Sequence, residues 1–174
     1  AHYNYAREIW QKTAMMPEPP YSSWTFDKAM QEIDNAYKIN PLPIYEEMRG
    51  KINYSKGNYE EAYNTFMKLT KSSIRNADLF YEAAQCRQQQ KGSDNEILAL
   101  LDSAVCACDT PYTTIAAPYF FARGEQYGKM GKYRDAMLDL YRYEMLTSSQ
   151  PTAAFYYERE QYEIKGKIFQ GALN

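Results

Sequence analysis

GNYEEAYNTFMKL (57–69) and GKYRDAMLDLYRY (131–143) share one pattern: Gly-x-Tyr-x-x-Ala, then aromatic or aliphatic residues four and seven positions after the alanine. Two further stretches keep the rhythm more loosely. FDKAMQEIDNAYKINP (26–41) lacks the glycine but ends in proline, and GSDNEILALLDSA (92–104) has Ile97 in place of the alanine. Glycines 57, 92, 131 and 166 are spaced by 35, 39 and 35 residues, and Ala29, Ala62, Ile97 and Ala136 by 33, 35 and 39. A period near 35 is that of a helix–turn–helix unit, which cannot bury its apolar face alone and must stack on its neighbours.

Working outward, the apolar spacing predicts helices over 3–15, 25–39, 43–56, 59–71, 77–90, 94–108, 116–130, 133–147 and 152–165, with another starting at 168. No stretch alternates as a strand does. Gly57, Gly92 and Gly131 lie between amphipathic stretches, where a left-handed helix stop is needed. Pro41, Pro43, Pro111, Pro118 and Pro151 fall between units, where helices begin or end. The small residues Gly50, Gly124, Ala62 and Ala136 let helices approach closely, and Tyr59, Phe66, Tyr127 and Tyr133 fill the space between layers.

These residues resemble the tetratricopeptide repeat (TPR) family. The unit at 117–150 matches it best, through Phe120, Gly124, Tyr127, Gly131, Tyr133, Ala136, Leu140 and Tyr143. The unit at 43–74 supplies Gly50, Gly57, Tyr59, Ala62, Phe66 and Leu69, with Glu46 and Asn53 where large apolar residues are usual. The unit at 78–109 keeps Tyr81, Gly92, Leu101 and Ala104, and has Gln85 in place of the first-helix glycine. The resemblance implies an all-α fold, a right-handed α-solenoid of stacked antiparallel helix pairs. It would form one domain over 1–174, with four to five repeats at 1–41, 42–75, 76–112, 113–150 and a partial one at 151–174.

Composition narrows the function. The chain has 174 residues, 20 Lys plus Arg and 22 Asp plus Glu, for a formal net charge of −2. Neither half carries a basic excess, so nucleic acid is not expected as a partner. The longest apolar run, around 116–122, contains Pro118, so no membrane span is expected. With three cysteines (Cys86, Cys106, Cys108) the chain is no disulfide-stapled miniprotein. The single histidine, His2, stands near a terminus, which removes most histidine-based zinc and acid–base arrangements.

Individual motifs argue against catalysis. GEQYGK (124–129) has one residue too few between its glycines for a phosphate-binding loop, and Met130 where Ser or Thr should hold magnesium, so helix packing at Gly124 and Gly128 is expected. Cys106 and Cys108 stand two apart on a predicted helix and point to different sides; both are expected to be buried small hydrophobes. Glu46-Glu47, Glu60-Glu61 and Glu158 with Glu160 read as solvated helix faces. No catalytic constellation, metal site or cofactor is expected.

The resemblance also implies where a partner would bind: the first helices would line a concave groove. Carried over position by position, its lining would be Glu47, Lys51 and Tyr54, then Glu82, Cys86 and Gln89, then Phe121, Glu125 and Lys129, and last Tyr156, Glu160 and Glu163. TPR domains that grip acidic chaperone tails use Lys, Arg and Asn there. Glu47, Glu82 and Glu125 would instead repel a carboxylate. The expected partner is thus a protein or peptide segment with Lys or Arg and some apolar anchors, held by a non-catalytic interaction scaffold.

The alternative is an assembly role, through self-association at the C-terminal end or docking to further repeats of a longer chain. Two departures from the repeat bear on it. MMPEPPYSSW (15–24) reads as a loop capping the first unit, or as a recognition loop anchored by Tyr21 and Trp24. YEIKGKIFQGALN (162–174) enters a new helix whose Phe169, Ala172 and Leu173 would be left exposed, so the natural chain is expected to continue. The start at Ala1, with no initiator Met, is expected to be a processed or an artificially trimmed one. The Tyr-rich, His-poor composition is compatible with a bacterial exported or periplasmic protein, which is slightly favoured; the three cysteines are equally at home in a reducing cytosol.

Overall fold

The structure is a computed structural model that describes residues 1–16, 23–71, 77–111, 113–147 and 160–167. Among these residues there are helices and no strands. The order is α1 (His2–Met15), α2 (Phe26–Ile39), α3 (Pro43–Ser55), α4 (Tyr59–Thr70), α5 (Ala77–Gln89), α6 (Asp94–Ala107), a 3₁₀ turn (Thr114–Ala116), α7 (Ala117–Lys129) and α8 (Tyr133–Thr147). Residues 160–167 are also helical.

Local chemistry sets these limits. Thr25 caps α2 by accepting from the Lys28 N–H at 3.1 Å, and Ser93 caps α6 by accepting from the Glu96 N–H at 3.2 Å. Pro43 occupies the first turn of α3, where its missing N–H costs nothing. α3 and α7 end in the same way. Gly57 (φ +83°) follows α3 and Gly131 (φ +75°) follows α7, and the next N–H in each case returns to a helix carbonyl, Asn58 to Asn53 and Lys132 to Tyr127, both at 2.9 Å. The third stop differs from the expectation. After α5 the left-handed residue is Lys91 (φ +56°), one position before Gly92, so a side-chain-bearing residue carries the turn.

The chain divides into two compact units, Ala1–Ile74 with Gln85–Lys91, and Arg75–Ala84 with Gly92–Asn174. In unit one, α1 packs on α2, α2 on α3 and α3 on α4. Its core is Ala6, Ile9, Ala29, Ile33, Met48 and Ile52, with Trp10 and Trp24 packed against it. Gly50 makes the α3–α4 contact possible: a Cβ there would meet Phe66 Cε1 at 2.5 Å. Trp24 lies edge-on to Tyr5, and its carbonyl accepts from Thr13 Oγ1 at 3.3 Å. It is thus packing in unit one; Tyr21 lies outside the described residues.

In unit two, α6 packs on α7 and α7 on α8. Ala77, Ala104, Ala107, Ala116, Tyr119 and Phe120 form its core. The two glycines of GEQYGK pack as expected. Gly124 faces α8, where a Cβ would stand 3.2 Å from the Ala136 carbonyl, and Gly128 lies under the ring of Tyr162, which a Cβ would meet at 2.2 Å. Tyr162 also stacks on Tyr133 at 6.2 Å. The helix carrying Tyr162 runs on to residue 167, so Gly166 sits inside it and not in the turn expected there. Residues 152–159 and 168–174, with Phe169, Ala172 and Leu173, lie outside the described residues.

Candidate functional site

Each unit presents part of the expected groove lining. On α3 in unit one, Glu47 and Lys51 are half-buried and joined by a 2.7 Å ion pair one turn apart. Tyr54, a turn further, is half-buried and edge-on to Tyr59 at 5.3 Å. At the C-terminal part of α5, Gln89 is exposed whereas Cys86 is fully buried. Cys86 therefore belongs to the packing and lines no open surface, contrary to the expectation. On a helix closed on several sides, a position read from repeat spacing alone can fall into the core.

In unit two, Glu82 is half-buried on α5. On α7, Phe121 and Glu125 stand one turn apart and half-buried, with the Phe121 ring 5.1 Å from that of Tyr143. Their neighbours Phe120, Ala122, Gly124 and Gln126 are buried. Lys129 and Glu160 are exposed and Glu163 is half-buried. Tyr156 lies outside the described residues.

The structure adds an ion-pair system that repeat spacing did not reveal. Arg49 of α3 donates to Asp34 of α2, with Nε at 2.8 Å. At the equivalent place in unit two, Arg123 of α7 donates to Asp102 of α6 at 3.0 Å. Both arginines directly precede the close-approach glycine of their helix, Gly50 or Gly124. Both aspartates stand five residues after the repeat's small or apolar marker, Ala29 or Ile97. The repeated Arg-Gly dipeptide was the available signal. Unit two goes further. Asp139 on α8, 1% exposed, accepts from Arg123 Nε at 2.6 Å, from Arg123 Nη2 at 2.9 Å and from Arg142 Nη1 at 2.8 Å. Burial would pull the Arg123 pKa down, but the bonds to Asp139 outweigh it and hold the guanidinium charged. Tyrosine pairs repeat as well, Tyr3 with Tyr45 at 5.5 Å and Tyr81 with Tyr119 at 5.6 Å. The Tyr119 hydroxyl donates to Asp78; burial, then that carboxylate, push its pKa well above the ordinary tyrosine value.

Two depressions occupy repeat-equivalent places. In unit one a basin of about 380 Å3 is lined by Met30, Asp34, Glu46, Arg49, Asn53, Thr65 and Lys68, and is polar. In unit two the counterpart, about 390 Å3, is lined by Val105, Pro111, Phe120, Arg123, Tyr141, Arg142, Met145 and Leu146, and is largely apolar. Among their described lining residues neither has a nucleophile–base pair.

Other carboxylates are paired too, among them the buried Glu32 with His2 and Lys28. Glu46 accepts from Tyr37 and Lys68, and Glu60 from Arg87 and Gln90. Cys106 is exposed, which corrects the expectation that both are buried: it lies on the open side of α6, between the buried Ala104 and Ala107. Cys108, just after the helix, is half-buried and packs against the core that contains those alanines. Among the described residues no group of three or more His, Cys, Asp or Glu side chains is placed to hold a metal ion. None of their helices is long and apolar enough to cross a membrane.

No protein-family model and no curated protein sequence matches the chain. Solved structures do. A MamA RS-1 ArsTM double mutant superposes with a TM-score of 0.70 at 13% identity, covering 99% of this chain and 89% of that one. A thermophilic TPR protein of Thermus thermophilus superposes at 0.64 with 19% identity, covering 94% and 82%. MamA 41-end from Desulfovibrio magneticus RS-1 gives 0.64 at 13% identity, covering 99% and 93%. At these identities the likeness bears on architecture alone, and it agrees with the repeat pattern, the glycine stops and the close-approach glycines. The chain has a TPR-like helical-repeat fold.

Proposed function

We propose that the chain is a non-catalytic protein-interaction module whose first helices take a partner segment carrying Lys or Arg beside apolar anchors. The observation that carries this reading is on α7. Packing closes most of that helix, and the side left open presents an aromatic ring and a carboxylate one turn apart, Phe121 and Glu125. An apolar anchor would lie on the ring, and a cationic side chain would reach the carboxylate. Glu82 on α5 and Glu47 on α3 give other first helices the same sign. On α3, Glu47 is paired with Lys51 one turn on. Acidic groups at these positions would turn away an acidic tail.

The test is affinity capture from source-cell extract with wild type and with a Glu82→Gln/Glu125→Lys variant, both checked for folding by circular dichroism. A basic partner retained by wild type and lost by the variant supports the reading. A partner held equally by both moves the interaction elsewhere. The assembly alternative predicts a mass that rises with concentration in light scattering, and a constant monomer mass would remove it.

A further inference from the structure

Large apolar side chains left exposed one at a time need no explanation; a row of them on one helix face does. Leu138, Tyr141 and Met145 on α8 are 50%, 57% and 63% exposed and recur at the spacing of a single helical stripe. Tyr141 and Met145 form one wall of the apolar depression of unit two, above Phe120 and Val105.

Comparison with the equivalent place in unit one shows how unusual this is. Aligning Arg49-Gly50 with Arg123-Gly124 sets Glu46 against Phe120, Met67 against Tyr141, Lys68 against Arg142 and Lys71 against Met145. Charged residues at two of these places, Glu46 and Lys71, are replaced by apolar ones. Stacking the repeats does not demand that change, because unit one keeps its helices packed with the polar set.

The charge of the depression has one sign. Among the described residues, its ionic lining consists of Arg123 and Arg142. Asp139 lies beneath them, 1% exposed, with its carboxylate between the two guanidinium groups and out of reach of a ligand. Arg123 is also held by Asp102. Arg142 is 53% exposed and engages Asp139 through Nη1. Its fixed planar group is thereby oriented, with its outer edge free to meet a carboxylate side-on.

We propose that the groove along α8 is a docking surface, separate from the first-helix face, for a peptide segment with a large apolar anchor next to an Asp or Glu. The anchor enters between Phe120, Val105, Tyr141 and Met145, and the carboxylate pairs with Arg142. Met145 adapts the pocket to differing anchors, and Leu138 continues the apolar track for a further turn of the ligand. The two surfaces thus select opposite charges.

The experiment uses the whole 174-residue chain. A phage library of random dodecapeptides is panned on it, and the peptide most enriched is synthesised with fluorescein. Its binding is followed by anisotropy to wild type and to Met145→Glu, Arg142→Gln and Glu125→Lys. Met145→Glu alters an exposed position, and circular dichroism confirms folding of all variants. The expected result is a consensus of Leu, Ile, Phe or Met beside Asp or Glu, with affinity falling about tenfold or more for Met145→Glu and Arg142→Gln and unchanged for Glu125→Lys. A basic consensus lost on Glu125→Lys overturns the proposal while supporting the first-helix reading. No enriched sequence, or equal binding to every variant, overturns it outright. So does a wild-type dimer that Met145→Glu turns into a monomer, because a second copy would then be the occupant.

Discussion

Removing the Asp139 carboxylate should be among the most damaging changes to unit two. Asp139→Ala deletes the acceptor of three charge-assisted bonds, two from Arg123 and one from Arg142. It leaves the Arg123 guanidinium, 13% exposed, with Asp102 alone, itself 45% exposed. Breaking a buried pair while leaving its partner behind costs about 3–5 kcal/mol, and the remaining contact to Asp102 places the expectation near 3. The matching change in unit one, Asp34→Ala, breaks a pair whose side chains are 36% and 37% exposed, where solvent screening limits the cost to below about 1 kcal/mol. Both tryptophans, Trp10 and Trp24, pack in unit one, so urea unfolding followed by tryptophan emission reports that unit and ellipticity reports the whole chain. Asp139→Ala should lower the midpoint of the ellipticity change belonging to unit two by more than about 1 M urea. Adding Arg123→Met should make matters no worse, since the orphaned charge leaves with it. A cost below about 1 kcal/mol, or equal costs for Asp139→Ala and Asp34→Ala, would refute the assignment of Asp139 as the buried centre of the network.

Three further outcomes are expected. Lys91→Gly should stabilise by about 0.5–1 kcal/mol, because glycine accepts the positive φ after α5 without the Cβ clash; a loss of stability in urea titration would contradict this turn geometry. Gly50→Ala should cost about 1–3 kcal/mol, since the new methyl meets the ring of Phe66, itself buried, and a melting temperature equal to wild type would place α3 and α4 further apart than described. The Tyr119 pKa is raised by burial and by Asp78, so the stability this group contributes is present in full below its unfolded value near 10 and is lost as pH climbs beyond it. Tyr119→Phe should lose less stability than wild type between about pH 9.5 and 11, and identical alkaline slopes would exclude Tyr119 as the titrating group.

Much of the fold was legible in the sequence because helices and their stops are local. The eight helices α1 to α8 begin and end within a residue or two of the limits read from apolar spacing, and Gly57 and Gly131 take the left-handed turns assigned to them. Gly50, Gly124 and Gly128 are close-approach points for the reason the pattern suggests: a Cβ would strike a neighbouring helix. Glu47, Glu82 and Glu125, read from the sequence as first-helix carboxylates, are half-buried in the structure.

What spacing could not decide was which of several polar or apolar positions meets which neighbour. Cys86 shares the register of Glu82 and Gln89 yet is fully buried, which repeat spacing alone does not determine. Lys91, not Gly92, carries the third turn, because the hydrogen bonding at the end of α5 sets the stop and not the glycine. Asp139 looks like any acidic residue on an amphipathic helix until α7 places Arg123 over it, and burial turns an ordinary surface charge into the centre of a network. The contrast between a polar basin in unit one and an apolar groove in unit two is likewise tertiary. It arises from residues on three helices in each unit, and the free energy of such a surface depends on what lies side by side in space, which a repeat period does not encode.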